Sequence, residues 1–455
     1  MTGPGAAEDA ADSSEAPGVN LPGLFMDYPE AIAYLDQHIA HGIKPGLERM
    51  EALLEDMGRP DQGYPLIHVA GTNGKTSTSR FATLLLVAHG LNAGTYISPH
   101  LQKVEERLSI NGRFATEEEF ALAVSDVAAF ADLRVRAGAE PNTYFELTTA
   151  AAFAFFADQA VNAAVLEVGL GGRLDATNVV DAEVCVLTSI GIEHTEYLGE
   201  DVATIAGEKL AITGPNSILV TGPLPDAALE VAYTRSKDLG IHHRHYGKDF
   251  SVLDAERGVG GWMVSIAGAE ETYEDLFLPL HGRYQLVNLA NAVAASEALL
   301  GRKLDEDAVR EAVAAATVPG RMEVLGKHPQ IMLDGAHNAD GVVALAESLE
   351  EEYPTTRWHL VLGVMGDKNV EAMVDSLRPL ISGVVTTAPH SERAVSPSDL
   401  AKRVRDLVDV PVLEAEGVDL AIDMARAEAG PAGAVLVAGS LYLVGEAREL
   451  LTSDE

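Results

Sequence analysis

Short apolar runs alternate with helical patterns along most of this chain, and that alternation narrows the fold more than any other feature. Residues 66–70, 163–168, 184–190 and 217–221 are too short for buried helices and read as buried strands. Strand runs apolar on both faces, with amphipathic segments between them, call for a mostly parallel sheet covered by helices on both sides. A helix is expected over 29–39, where Ile32, Leu35 and Ile39 keep helical spacing. Residues 240–278 are less regular and read as a small antiparallel excursion turning at 258–261, followed by an alanine-rich helix over 286–300. Thr317-Val-Pro-Gly-Arg321 then breaks the pattern, and a second series begins with strands at 331–333, 358–364, 384–387 and 435–438. The expected architecture is α/β in two parts with a cleft between them. A doubly wound N-terminal domain spans 23–316, a linker 317–321, and a smaller Rossmann-like α/β domain 322–455. Residues 1–22 have the composition of a disordered acidic tail and lack the basic start and apolar core of a signal peptide.

Charge excludes some partners. The net charge is -37, with 69 acidic residues against 32 basic ones, so the surface repels a nucleic-acid backbone. Only 10 of the basic residues are lysine, a balance suited to staying dissolved in a salty interior. No apolar run reaches the roughly 18 residues of a membrane span. The single cysteine, Cys185, lies in an apolar run and reads as core. A cytoplasmic monomer without nucleic-acid or membrane partners is expected.

Chemistry concentrates at strand ends. Leu66–Ala70 leads into the turn Gly71-Thr-Asn-Gly-Lys-Thr-Ser77, and a helix over 78–89 follows. Strand, glycine turn and helix N-terminus together surround an anion with backbone N–H groups. Lys75 suits β- and γ-phosphates, and a hydroxyl from Thr76 or Ser77 suits magnesium. The strict phosphate-loop pattern fails at its first glycine, where Val69 stands. Glu167 ends another strand before a glycine turn, where a carboxylate partners nucleotide-bound Mg2+. His194 follows the next strand, as a loop histidine or a ligand on the same rim. On a helix over 201–213, Lys209 falls on the apolar face of Val202, Ile205 and Ala206. Its stem either snorkels to solvent or brings an amine to the site that needs a partner or a change of charge.

From about Gly46 to the C-terminus the sequence resembles the folylpolyglutamate synthase and dihydrofolate synthase family, relatives of the Mur ligases. The most specific matches are Glu167-Val-Gly-Leu-Gly-Gly-Arg-Leu-Asp-Ala-Thr-Asn178 and Asp334-Gly-Ala-His-Asn338. Gly46–Arg49, His68–Lys75, Ser98-Pro-His100, Thr143-Tyr-Phe-Glu146, Pro319-Gly-Arg321 and Gly439-Ser-Leu-Tyr442 support them. The resemblance implies an N-terminal Mur ligase-like phosphate-loop ATPase domain and a Mur ligase-like C-terminal domain.

It also implies roles. Thr72, Asn73, Gly74, Lys75 and Thr76 would contact ATP, with Asn288, Arg321 and Asp334. Ser77, Ser98, Glu167 and His194 would bind two magnesium ions, with K+ as a further cation. Lys209 falls where the family carries a carbamylated lysine, and His337 would join Lys75 and Lys209 in catalysis. Thr143, Tyr144, Phe145, Glu146, Leu174, Asp175 and Ala176 would form the pterin pocket, Phe145 offering a flat apolar face. Some positions depart from the family: Thr76 stands for glycine, Glu193 for aspartate, Tyr284 for histidine and Leu289 for alanine.

The implied reaction is ATP-dependent addition of L-glutamate to dihydropteroate or a folate through an acyl phosphate. Because His337 and Asp334 belong to the second domain, closure of the cleft is expected to assemble the site. Two rivals stand: a Mur-type ligase extending a nucleotide-linked peptide, and a non-catalytic nucleotide-binding protein. Whether the first glutamate, later ones or both are added stays open, as does the linkage.

Overall fold

The computed structural model describes residues 25–42 and 44–453. The expected acidic tail, residues 1–22, lies outside them. The first sheet takes its strands from β1 (Leu66–Ala70), β2 (Ala93–Tyr96), β3 (Leu108–Ile110), β4 (Arg113–Phe114), β5 (Ala163–Glu167), β6 (Val184–Leu187), β7 (Ile218–Thr221) and β8 (His243–His245). Their order is β4-β3-β2-β5-β1-β6-β7-β8. All neighbours run parallel except β3, which turns back against β2 and β4. The connections leaving β1 and β5 cross to opposite sides, which opens a crevice at the carboxyl ends of these central strands.

Alternation along β1 explains why it is central. Ile67 and Val69 pack with Phe81 and Leu85 of helix Lys75–Ala88 and with Leu286 and Leu289 of helix Tyr284–Leu300. Leu66 and Ala70 point the other way, into a core with Phe120 and Phe153 from helices Glu117–Arg136 and Tyr144–Asp158. Both faces are covered, as the apolar runs require. Cys185 is fully buried in β6, as expected of core.

The irregular stretch forms an antiparallel meander of β9 (Ser251–Gly258), β10 (Gly261–Ala267) and β11 (Thr272–Leu278). β8 stays outside it, pairing parallel with β7. The second sheet holds β12 (Glu323–Lys327), β13 (Gln330–Asp334), β14 (Trp358–Leu362), β15 (Ile381–Thr386), β16 (Val412–Glu414) and β17 (Ala434–Ala438) in the order β12-β13-β17-β14-β15-β16. Only β12 runs antiparallel. We propose residues 317–321, which join the two sheets, as the linker between domains spanning 23–316 and 322–455.

Several elements end sooner than their sequence patterns suggest, β6 and the helix begun at Val202 by the most. β6 stops at Leu187, because Thr188 and Ser189 turn their hydroxyls to the carbonyl of Asn73 at 2.7 and 3.0 Å. The α-helix begun at Val202 stops at Lys209, and Leu210–Ile212 tightens into a 3-10 turn. No described helix is long and apolar enough to cross a membrane.

Candidate active site

The turn after β1 is shaped by close approaches. Gly74 has φ of 84° and opens the helix at Lys75. A Cβ there would strike the Asn288 amide, and one at Gly71 would strike the Thr188 hydroxyl, so only glycine fits. Ser189 fixes the turn further, its hydroxyl accepting from the Asn73 N–H at 2.9 Å. Lys75 curls back over the turn, and Nζ donates to the carbonyls of Gly71 and Thr72 at 2.9 and 3.1 Å.

Glu167, buried at the end of β5, accepts from the Thr76 hydroxyl at 2.9 and 3.0 Å. Burial pushes its carboxyl up to about 7, against the pull of Lys75 and of the Thr76 hydrogen bond. The Ser98 hydroxyl is buried without a hydrogen-bond partner among the described residues. His194 has φ of 49°, a left-handed conformation that a side chain seldom adopts and that often marks function.

Lys209 is only 3% exposed, so its stem does not snorkel to solvent. Its Nζ donates to the Gly71 carbonyl at 3.0 Å and lies 3.5 Å from Glu193. Burial, and then Lys75, push the amine down to about 8. Burial raises the Glu193 carboxyl, but Lys75 and Lys209 outweigh it and hold the group below its ordinary range.

The second sheet reaches the same place. Asn338 caps helix Ala339–Glu352, and its amide exchanges hydrogen bonds with the Asn73 amide at 3.1 and 3.2 Å across the cleft. Asp334 accepts from the Tyr284 hydroxyl at 3.0 Å and from the N–H groups of Met322 and Ala336 at 2.9 and 2.8 Å. His337 Nδ1 donates to the Gly335 carbonyl at 2.8 Å, and among the described residues Nε2 has no partner; burial lowers its pKa to about 4, so the ring is neutral.

One cleft of about 560 Å³ takes in every residue expected around ATP and metal: Thr72 to Ser77, Ser98, Glu167, His194, Lys209, Asn288, Arg321, Asp334 and His337. It also takes in two cations without a motif to mark them, Lys368 and Arg393, which share Asp367 at 2.9 and 3.2 Å. Both follow strands of the second sheet, and that position is the only signal that could have found them. Lys75, Lys209, Arg321, Lys368 and Arg393 line the cleft together with Glu167, Glu193, Asp334 and Asp340, so a chain of charge -37 gathers cations here to match its acids.

The seven residues expected around a pterin do not line this cleft. Thr143 and Glu146 form a capping box on helix Tyr144–Asp158, and Glu146 also binds Arg49 at 2.7 Å. Asp175 spends both oxygens on its own loop, accepting from Leu170 N–H and from the N–H and hydroxyl of Thr177. Ala176 is buried, while Leu174 is 48% exposed. Phe145 is half-buried, and its ring tip leans on Gly169, a residue of the cleft wall; a Cβ at Gly169 would meet Phe145 Cζ at 2.5 Å.

Comparison with known proteins agrees with this geometry. The Mur ligase middle domain matches residues 69–296, and the Mur ligase glutamate ligase domain matches residues 320–441. A dihydrofolate synthase/folylpolyglutamate synthase of Mycobacterium tuberculosis is 37% identical over 90% of this chain and 91% of its own length. The chain belongs to the folylpolyglutamate synthase/dihydrofolate synthase family. Solved members of this family share its fold throughout. The Mycobacterium tuberculosis folylpolyglutamate synthase complexed with ADP superimposes with a TM-score of 0.88 at 37% identity, covering 93% of this chain and 99% of that one. An Escherichia coli relative in complex with DHPP and ADP gives 0.84 at 29% identity, over 94% and 98% of the two chains.

Proposed function

We propose that this member of the family is an ATP-dependent ligase. It joins the amino group of L-glutamate to the carboxylate of dihydropteroate, of a reduced folate, or of both. The observation that supports this best is the single cleft in which a phosphate loop, a buried carboxylate–hydroxyl pair and cations from the second sheet converge.

Thr72 to Thr76 hold the ATP phosphates, and Lys75 exchanges its two backbone carbonyls for β- and γ-phosphate oxygens. Asn288, Arg321 and Asp334 fix the rest of the nucleotide. The donor set fits Mg2+: Glu167, the Ser98 hydroxyl that lacks a partner, His194, and a hydroxyl of the phosphate loop. Of the two loop hydroxyls we favour Thr76 over Ser77, because Thr76 already meets Glu167. Among the described residues no cluster of three His, Cys, Asp or Glu forms a closed metal cage. That suits a hard ion that completes its shell with phosphate oxygens and water. Bound there, Mg2+ supplies neutralisation of charge on the phosphate oxygens.

A carboxylate is a poor acyl donor. Its oxygen attacks the γ-phosphorus, ADP leaves, and Lys75 and Arg321 stabilise the charge in transit. The amine of glutamate then attacks the acyl carbon and phosphate leaves. Lys368 and Arg393 take the carboxylates of the incoming glutamate, and His337 presents its free Nε2 to the amino group. Lys209 acts as a carbamate. A partly neutral amine can capture CO2, and the product replaces a buried cation with an anion suited to the metal side of the cleft. Phe145 and Tyr144 pack against the pterin ring.

The test is ADP release with dihydropteroate, tetrahydrofolate and a nucleotide-linked cell-wall peptide in parallel, each with and without glutamate. Glutamate-dependent release with a pterin substrate is expected. Release with the peptide alone would move the chain to the Mur branch, and release independent of any acceptor would remove the ligase reading.

A further inference from the structure

A second cavity of about 250 Å³ lies beside the cleft, between the segment that follows β2 and the C-terminal helix Leu441–Thr452. Pro99 and Tyr442 line both spaces, so they share a wall. Arg107 lines the smaller one and is only 8% exposed. Its Nε donates to His100 Nδ1 at 3.0 Å, and its guanidinium carbon sits 5.4 Å from the centre of the Tyr144 ring. Among the described residues, neither terminal nitrogen of Arg107 has a hydrogen-bond or carboxylate partner. Arg107 lines the cavity, so its fork is open to an acceptor that enters there. The planar fork matches a carboxylate through two parallel hydrogen bonds.

Position decides which carboxylate. Tyr144 precedes Phe145, assigned above to the pterin ring, and Ser98 precedes Pro99 on the phosphate side. Arg107 has a neighbour of each at hand, the Tyr144 ring under its guanidinium and Pro99 in the same cavity wall. We infer that Arg107 binds the α-carboxylate of a glutamyl residue already attached to the pteroate, so that this cavity receives the tail of a folate. The inference rests on the ligase reading above and adds a selectivity to it. Dihydropteroate offers only the carboxylate that reacts, whereas a folate also offers an α-carboxylate. Two acids share the cavity. Glu446 is held by His390, 2.9 Å from its ring and 3.0 Å from its N–H, and Glu449 is the other. Both carry a carboxylate's own charge, which leaves Arg107 as the group to bind one.

The experiment measures kcat/KM for dihydropteroate and for tetrahydrofolate in wild type and Arg107→Leu, with ATP and glutamate saturating. Tetrahydrofolate should lose about tenfold to a hundredfold more than dihydropteroate, mostly in KM. A second measurement needs no variant: tetrahydrofolate with its α-carboxylate amidated should be poorer for wild type by a similar factor. Arg107→Leu should no longer tell acid from amide. Equal losses on both substrates would overturn the inference. So would an amide used as well as the acid, or a wild type that ligates dihydropteroate but not tetrahydrofolate. A wild type that ligates neither overturns the ligase reading and this inference with it.

Discussion

On the phosphate side of the cleft the motif residues leave their polar atoms open. Among the described residues, Lys75 holds only backbone carbonyls, Ser98 Oγ has no partner, and His337 Nε2 meets none. Around Phe145, where we propose the pterin, the motif residues are closed upon themselves. Thr143 and Glu146 cap a helix, Arg49 takes up Glu146, and Asp175 holds its own loop. Both stretches match the family, yet they invest their side chains differently. Open groups at strand ends wait for a ligand, whereas closed ones shape the element that presents a neighbour. On the side we propose for the pterin that neighbour is Phe145, and its polar flanks are scaffold.

The comparison can be broken from either side. The largest effect should come from Lys75→Ala, which removes charge from the moving phosphoryl group. Turnover should fall about a hundredfold or more with the melting midpoint nearly unchanged, since Lys75 contributes only to a surface turn. A variant that keeps more than about a tenth of wild-type kcat, a difference of roughly 1.4 kcal/mol, would remove the phosphate-loop assignment.

Next is Lys209→Arg. It keeps the positive charge, is larger and cannot be carbamylated, so activity should drop at least about tenfold. Partial rescue of Lys209→Ala by formate or acetate would sharpen the point, and carbon-13 NMR with labelled bicarbonate would report the carbamate directly. A fully active Lys209→Arg enzyme contradicts the carbamate.

On the other side, Phe145→Ala should raise KM for the pterin substrate by about tenfold, in line with one lost aromatic contact of roughly 1 kcal/mol or slightly more. The KM values for ATP and glutamate should change much less. Equal changes in all three would make Phe145 core. The smallest effect belongs to Thr143→Ala, which should cost about 1 kcal/mol of stability through the lost cap, visible in denaturant melts. If it instead raised the pterin KM as much as Phe145→Ala while stability held, the division between scaffold and contact would fail.

Much of this was legible in the residues. The apolar runs at 66–70 and 163–168 located the central strands because both faces are buried there, and a strand buried on both faces needs no periodicity. Glycine spacing marked the turn at Gly71–Gly74 because two neighbours press on it. Helical spacing put Lys209 on an apolar face, and it is buried. Lys368 and Arg393 were illegible, since nothing around them differs from a solvated loop until the second sheet brings them to the cleft. The short strands β3, β4 and β16 were equally silent, being only two or three residues long. Thr143 and Glu146 carry the spacing of a capping box, so their closure is legible, whereas that of Asp175 could not be read. A motif names residue types without saying which polar atoms the fold has already satisfied.

The central claim is that ATP activates a pterin-linked carboxylate before glutamate attacks it. The most direct test supplies that substrate with oxygen-18 in the reacting carboxylate and follows the label by mass spectrometry of the released phosphate. Transfer through an acyl phosphate breaks the carbon–oxygen bond when the amine attacks, so each phosphate formed with product should carry one oxygen-18 atom. Phosphate free of the label, formed while product accumulates, would contradict the account.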